Sequence, residues 1–408
     1  MNDRPIRTIA ELEKLGEASL QTGPFGTQLK ASEYVDEGTP VINVRNIGFG
    51  EVRKADLEYL NEAKAEKLHQ HHLRKGDIVF GRKGAVERHA LIDETTDGWI
   101  QGSDCLRLRI KSPDVSVRYL SYYLKTQAHQ DWMQALCSFG ATMSSLNQDI
   151  VRRISFPALP SETQKKIAAI LSAYDDLIEN NRRRIALLEK MADEIYREWF
   201  VRLRFPGHEQ AKFEKGVPEG WEQRRFGEFC ILKRGYDLPD STIKVGQYPV
   251  VAATSIKAFH NHFKVEPPVI TTGRSGSLGG VLYVNKKAWP LNTVLYVKDF
   301  CRNSPYLIYY VLKNMGLDGF NSGAGVPTLN RNHLNGIVIT VPEKSVQSAF
   351  DDQVSKIYSQ KENLSQQVEL LVNTRDALLP RLISGKLAVD DLDIRFPPGM
   401  AEASALAI

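Results

Sequence analysis

The 408-residue chain sets two arginines between glycines, Gly81-Arg82-Lys83-Gly84 and Gly273-Arg274-Ser275-Gly276. Each ends a strand-like apolar run, "KGDIVFGRKGAV" (75–86) and "PPVITTGRSGSL" (267–278). Flanking glycines let a backbone approach a groove or a phosphate closely. A guanidinium placed there can fork onto guanine O6 and N7 or onto phosphate oxygens. The bland reading is a β-hairpin with an exposed arginine. Recurrence at matching places favours nucleic-acid contact by Arg82, Lys83, Arg274 and Ser275, with Arg88, His89, Lys257, His260 and His262 as neighbours on loops.

Other chemistry-bearing stretches fall short of a site. In "LHQHH" (68–72), His69, His71 and His72 share no single helix or strand face and have no evident carboxylate partner, so no metal is expected. "TTGRSGSLGG" (271–280) lacks both the GxxxxGK[ST] and the GxGxxG spacing. "EPPV" (266–269) approaches the Asn/Asp-Pro-Pro-aromatic motif of amino-methyltransferases but lacks the amide or acid, the aromatic and an FxGxG cofactor loop. Asp56 with Glu62 imitates a nuclease carboxylate set only loosely, because "NEAKAEKLHQ" reads as a surface helix. No catalytic residue, bound cofactor or metal is therefore expected.

Composition bounds the rest. Hydrophobic residues make up 42% and charged residues 25%, and no window holds the ~18 apolar residues of a membrane span. The N-terminus lacks the layout of a signal peptide. Cys105, Cys137, Cys230 and Cys301 are widely spaced and read as reduced thiols, so a cytoplasmic protein is expected. A net charge of +4 rules out a generally basic nucleic-acid binder and leaves local patches. The length calls for two or more domains.

The elements that must position the arginines are repeated. "GATMSSLN" (140–147) returns as "GAGVPTLN" (323–330), an offset of 183 residues. After the first copy, Ser161 and Gln164 read as a capping box, and a helix can run to about Phe200 without Gly or Pro. Alternating steps of four and three pick out Ile167, Leu171, Tyr174, Ile178, Asn181, Ile185, Leu188, Ala192, Ile195 and Trp199, a coiled-coil seam. The same offset gives Phe350, Val354, Ile357, Lys361, Leu364, Val368, Leu371, Arg375, Leu378 and Leu382. Asn181, Lys361 and Arg375 are its polar members, which cost stability but fix register and partner choice. Asn147 and Asn330 read as caps beside core residues Leu146 and Leu329. "NNRRR" (180–184) and "REWFVRLRF" (197–205) leave a basic face that is either solvated, on DNA backbone or on an acidic partner. The expected architecture is α+β: two globular α/β domains joined by two long helices that form an antiparallel coiled coil, a pseudo-two-fold tandem repeat.

"GPFGTQLKASEYVDEGTPVINVRNI" (23–47), "GDIVFGRKGAV", "GATMSSLNQDIVRRISFPALPSETQKKIAAIL" and "VPEGWE" (217–222) resemble the specificity (S) subunits of type I restriction–modification systems. The resemblance spans nearly the whole chain, and is loose in the second domain before residue 267. It implies target-recognition domains at 1–158 and 205–342, helices at 159–204 and 343–390, and a tail at 391–408. It further implies double-stranded DNA with a bipartite site as ligand, with the helices fixing the spacer. Two methyltransferase (M) subunits using S-adenosylmethionine would be its partners. Two restriction (R) subunits, with ATP and Mg, remain an option for cleavage. The chain itself would be non-catalytic. DNA contacts would fall to Arg82, Lys83, Arg88, Arg274, Ser275 and Lys257. Leu171, Ile178, Asn181, Ile185, Leu188, Val354, Leu364, Val368 and Leu371 would form the seam and partner scaffold. Readings from other classes are a coiled-coil adaptor without nucleic acid and a self-contained DNA-modifying enzyme.

Overall fold

Strand Ile78–Gly81 is buried at every position, as a strand covered on both faces must be. Its counterpart Val269–Gly273 is buried throughout as well. Around each of them the chain builds a separate compact unit in the computed structural model, which describes residues 5–137, 145–320 and 327–396. The first unit runs to Asn180 and resumes at Gln367; the second is Asn181–Gln366.

The strands of the first unit are β1 (Ile6–Thr8), β2 (Ala18–Thr22), β3 (Tyr34–Val35), β4 (Thr39–Ile42), β5 (Phe49–Gly50), β6 (Glu58–Leu60), β7 (Ile78–Gly81), β8 (His89–Leu91), β9 (Ile100–Gln101), β10 (Cys105–Ile110) and β11 (Ser155–Pro157). They form a sheet in the order β2-β10-β7-β8-β5, a second in the order β3-β6-β4-β9, and the pair β1-β11. The helices are α1 (Ile9–Lys14), α2 (Glu62–Lys67), α3 (Val117–Leu124), α4 (Gln127–Cys137), α5 (Gln148–Arg152) and the start of α6 (Ser161–Tyr196).

The second unit has the hairpin β12 (Phe213–Glu214) and β13 (Val217–Pro218), then β14 (Glu222–Arg225), β15 (Ile231–Arg234), β16 (Val245–Val251), β17 (Ile256–His260), β18 (Val269–Gly273), β19 (Val281–Val284), β20 (Trp289–Pro290), β21 (Val294–Asp299) and β22 (Val338–Val341). Its helices are α7 (Phe226–Phe229), α8 (Pro305–Asn314), α9 (Arg331–Asn335) and α10 (Lys344–Ile383). The sheet orders are β15-β21-β18-β19 and β17-β16-β20, with the pair β14-β22. The four strands β15-β21-β18-β19 repeat β2-β10-β7-β8, and the parallel pairing β16-β20 repeats β4-β9, while β3, β5 and the β12-β13 hairpin have no counterpart. The fold is α+β, and it is a tandem repeat.

The compact units divide the chain in a different way from recognition domains and helices. Each takes a piece of both long helices. Ile167 and Leu171 of α6 share the first core with Leu382 and Ile383 of α10. Ala192, Tyr196 and Trp199 share the second with Phe350 and Val354. Within each unit the two helices run antiparallel: Asp175 meets Arg375 in the first, and Glu189 meets Lys361 in the second, both at 2.6 Å. Helix α6 gives way at Tyr196 to one wide π-type turn, Arg197–Val201, while α10 tolerates Pro380 in its last turn.

Gln164 departs from its expected role. Its side chain does not return to the Ser161 end of its own helix as a capping box would. Its Oε1 accepts from the Ser116 amide at 2.9 Å, and its Nε2 donates to the carbonyls of Asp114 and Leu159. Gln347, 183 residues on, accepts from the Ser304 amide at 3.0 Å and donates to the Pro342 carbonyl. Ser116 and Ser304 are the N-caps of α3 and α8, so each buried glutamine pins a domain helix to the root of a long one. Sequence spacing shows only local partners, and Ser116, Asp114 and Ser304 are long-range.

Gln164→Ala and Gln347→Ala should each destabilise the protein by about 1–3 kcal/mol, since each orphans buried backbone groups. Urea unfolding would show this as a lowered midpoint. An unchanged midpoint would mean water replaces the amide at no cost.

Candidate nucleic-acid interface

Strand β7 delivers Arg82 and β18 delivers Arg274, and in both units the arginine backbone is held from two sides. The Arg82 amide donates to the Asp104 carbonyl at 2.8 Å, and the Arg82 carbonyl accepts from the Leu146 amide at 2.9 Å. The Arg274 amide donates to the Thr293 carbonyl and its carbonyl accepts from the Leu329 amide, both at 2.8 Å. Bridges Lys83–Ser145 and Ser275–Thr328 extend each tie by one residue. The two sequence repeats are therefore neighbours: each Gly-Arg-x-Gly turn lies along the end of the repeated phrase. Gly140–Ser144 and Gly323–Val326 of that phrase lie outside the described residues.

Local chemistry explains the anchoring. Leu146 and Leu329 are core residues, and Asn147 and Asn330 cap α5 and α9 through their side-chain oxygens. Gly84 and Gly276 sit at φ +77° and +88°, the left-handed region that glycine adopts without strain. Gly273 must lack a side chain, because a Cβ would come within 2.0 Å of the Ser277 carbonyl.

The side chains differ between the units. In the first, Arg82 is half-buried and its Nε has no hydrogen-bond partner. Lys83 is exposed and pairs with Asp104 at 3.1 Å. The Arg88 guanidinium lies over the Phe49 ring at 5.3 Å, its Nε likewise unpartnered. His89 is no loop neighbour. It lies on β8, 1% exposed, with Nε2 against the Ser121 hydroxyl at 2.8 Å.

In the second unit, Arg274 Nη1 donates to the Asn292 carbonyl at 3.4 Å, and the Asn292 side chain donates to Asp237. Lys257 is exposed on β17 and pairs with Asp240 at 2.6 Å. His260 is buried, its Nδ1 facing the Lys244 backbone, while the exposed His262 packs on its ring. The sequence reading missed a basic and aromatic group beside Asp237. Lys233 and Lys264 lie over the Tyr236 ring at 5.5 and 5.9 Å, and Lys264 also over Trp289 at 4.8 Å. The run "KRGYD" (233–237) was the available signal. In the first unit, His71 faces Gln21 and His72 faces the Ala65 carbonyl. Among the described residues no group of His, Cys, Asp or Glu is arranged to hold a metal.

None of the seam positions is exposed. Leu171, Ile178, Asn181, Val354 and Leu364 are buried; Ile185, Leu188, Val368 and Leu371 are half-buried. Side chains turned inward this way pack within the chain and offer a partner little. The exposed apolar residues of the two helices are Leu177, Leu187, Met191 and Leu370.

Comparison with known proteins places this geometry. The profile of the Type I restriction modification DNA specificity domain matches residues 26–190 and again 218–370. The chain is similar to the type I restriction enzyme MjaIX specificity subunit of Methanocaldococcus jannaschii, 26% identical over 311 residues, 69% of this chain and 72% of that one. It is also similar to the type I restriction enzyme HindI specificity subunit of Haemophilus influenzae, 24% identical over 131 residues, 32% and 28% of the two chains. Among solved structures, the type I restriction–modification S subunit from M. genitalium shares the fold, with a TM-score of 0.60 at 19% identity over 94% and 97% of the chains.

The burial of His89 beside Arg88 has a pH signature. Burial pushes the His89 pKa well below the usual histidine value and that of His129 down to about 4. Both are neutral when folded, whereas an unfolded histidine takes its proton near pH 6.5. Stability is therefore fully present above about pH 6.5 and falls as the pH drops below it, by roughly 2 kcal/mol for His129 by pH 5, with His89 acting in the same direction. Urea midpoints at pH 7.5 and 5.0 measure this, and His129→Phe should narrow the difference. A midpoint independent of pH over this range would contradict the neutral buried pair.

Proposed function

The chain belongs to the type I restriction modification DNA specificity family, and from that premise we propose how it reads its target. Each unit reads one half of a bipartite site on double-stranded DNA. Arg82, Lys83 and Arg88 carry the contact in the first unit, and Arg274, Ser275 and Lys257 in the second. One observation carries the reading: the same glycine-flanked arginine, tied by its backbone on both sides, stands in two units whose surrounding side chains differ. A fixed backbone with varied surroundings is what two readers of different sequences require, because phosphate contacts position and base contacts specify. Membership in the family favours this over an adaptor without nucleic acid and over a self-contained modifying enzyme.

The chain is the non-catalytic DNA-recognition member of its complex. We assign adenine methylation to two methyltransferase subunits that use S-adenosylmethionine, and cleavage to restriction subunits that use ATP and Mg. The paired stretches of α6 and α10 act as the coiled-coil scaffold, with Leu177, Leu187, Met191 and Leu370 as the surface offered to those partners. Among the described residues no helix is long and apolar enough to cross a membrane, and we place the complex in the cytoplasm, beside its DNA.

Arg82→Ala should relax reading of one half-site and Arg274→Ala the other. A lost bidentate base contact is worth about 1–3 kcal/mol. Methylation mapping of the assembled complex reads out both. Equal weakening on all sequences would make these phosphate contacts, and unchanged binding would remove them from the interface. The isolated chain should transfer no methyl group; transfer without a second subunit would overturn the assignment.

A further inference from the structure

We propose that Asp175 is the positioning residue that seats the first recognition unit on its helices, and that in the second unit a cluster of tyrosine rings stands in its place. The proposal rests on the DNA-reading function above and adds which residues hold each reader in place.

In the first unit the Asp175 carboxylate, on α6, gathers three other groups. Its Oδ1 accepts from Arg375 Nη1 of α10 at 2.6 Å, and its Oδ2 accepts from the Tyr122 hydroxyl of α3 at 2.7 Å. Lys125, the C-cap of α3, brings Nζ to 3.6 Å of the same oxygen. One carboxylate thus joins both long helices to the globular part. The Lys125 stem continues the line toward the reading surface. It crosses Gly50 so closely that a Cβ there would lie 2.1 Å from Lys125 Cε. Gly50 adjoins Phe49 on β5, the ring on which Arg88 rests. Releasing Lys125 therefore loosens the strand under a DNA-facing arginine.

The second unit keeps the scaffold and changes the chemistry. The offset of 183 residues puts Tyr358 where Asp175 stands and Ala192 where Arg375 stands. The Tyr358 hydroxyl is 3.3 Å from that of Tyr310, which follows the α8 cap as Tyr122 follows the α3 cap. Its ring packs on Tyr283 and Tyr306 at 5.1 and 5.0 Å. Lys313, in the place of Lys125, turns to Asp193 at 2.7 Å. Tyrosine rings stand where Asp175 does, and the carboxylate that takes the lysine has moved to Asp193, beside Ala192.

The test uses the full chain assembled with its methyltransferase subunits, on a site found by methylation mapping and on two duplexes with one half-site scrambled in each. Asp175→Asn keeps the shape but removes the carboxylate that Lys125 and Arg375 share, leaving Arg375 to Asp376 alone. Discrimination at the first half-site should fall about tenfold, with the second unchanged. Adding Arg375→Gln restores the local charge balance and should recover most of the loss. Tyr358→Ala should affect the second half-site alone. In the free full chain, amide exchange at Phe49 and Gly50 should rise with Asp175→Asn and not with Tyr358→Ala. Equal loss at both half-sites, no loss at either, or unchanged exchange at Phe49 and Gly50 overturns the proposal. A wild-type complex that discriminates at neither half-site overturns the reading beneath it, and the proposal with it.

Discussion

Everything in this molecule depends on cores that the strands alone cannot complete, because each is closed by pieces of both long helices. The first is closed by Ile167 and Leu171 from one helix and by Leu382, Ile383 and Val389 from the other end of the sequence. The second is closed by Tyr196 and Trp199 against Phe350 and Val354. Each such side chain, fully buried, is worth about 1.5–3 kcal/mol. A reading unit therefore cannot fold around its own strands and treat the helices as linkers. The helices are core elements, and the surface each unit presents inherits their rigidity.

Within that constraint the two units divide what is kept from what varies. The strand order, the parallel short pairing, the buried glutamine at the helix root and the doubly tied arginine turn are kept. Each is a backbone or buried hydrogen-bond feature that serves any target equally. Surface chemistry varies: Arg88 on Phe49 in one unit, lysines over Tyr236 and Trp289 in the other. Function lives in such grafted surfaces, and the fold supplies their footing.

Legibility in the sequence followed the range of the interaction. The seam was readable because helical periodicity is local, and every seam position is at least half-buried. The arginine turns and the asparagine caps were readable for the same reason. Gln164 was misread because its partners, Ser116 and Asp114, are remote in sequence. His89 was placed on a loop because a three-residue strand with one buried histidine leaves little alternation to detect. The split of each long helix between two cores was hidden because it rests on packing between helix segments distant in sequence.

The arginine turns and their surroundings also hold buried polar groups without a hydrogen-bond partner among the described residues. Arg82 Nε and Arg88 Nε are buried without a hydrogen-bond partner, as are the hydroxyls of Thr271 and Thr272, just ahead of Gly273 and Arg274. Folded proteins keep few such groups, and each costs about 1–3 kcal/mol. A purely structural turn gains nothing from keeping a guanidinium short of an acceptor. Where a ligand rich in phosphate and base-edge acceptors is to be bound, the same shortfall is recovered on binding. The backbone ties through Leu146 and Leu329 fix where each arginine starts, and of the two Arg274 already reaches a partner, the Asn292 carbonyl.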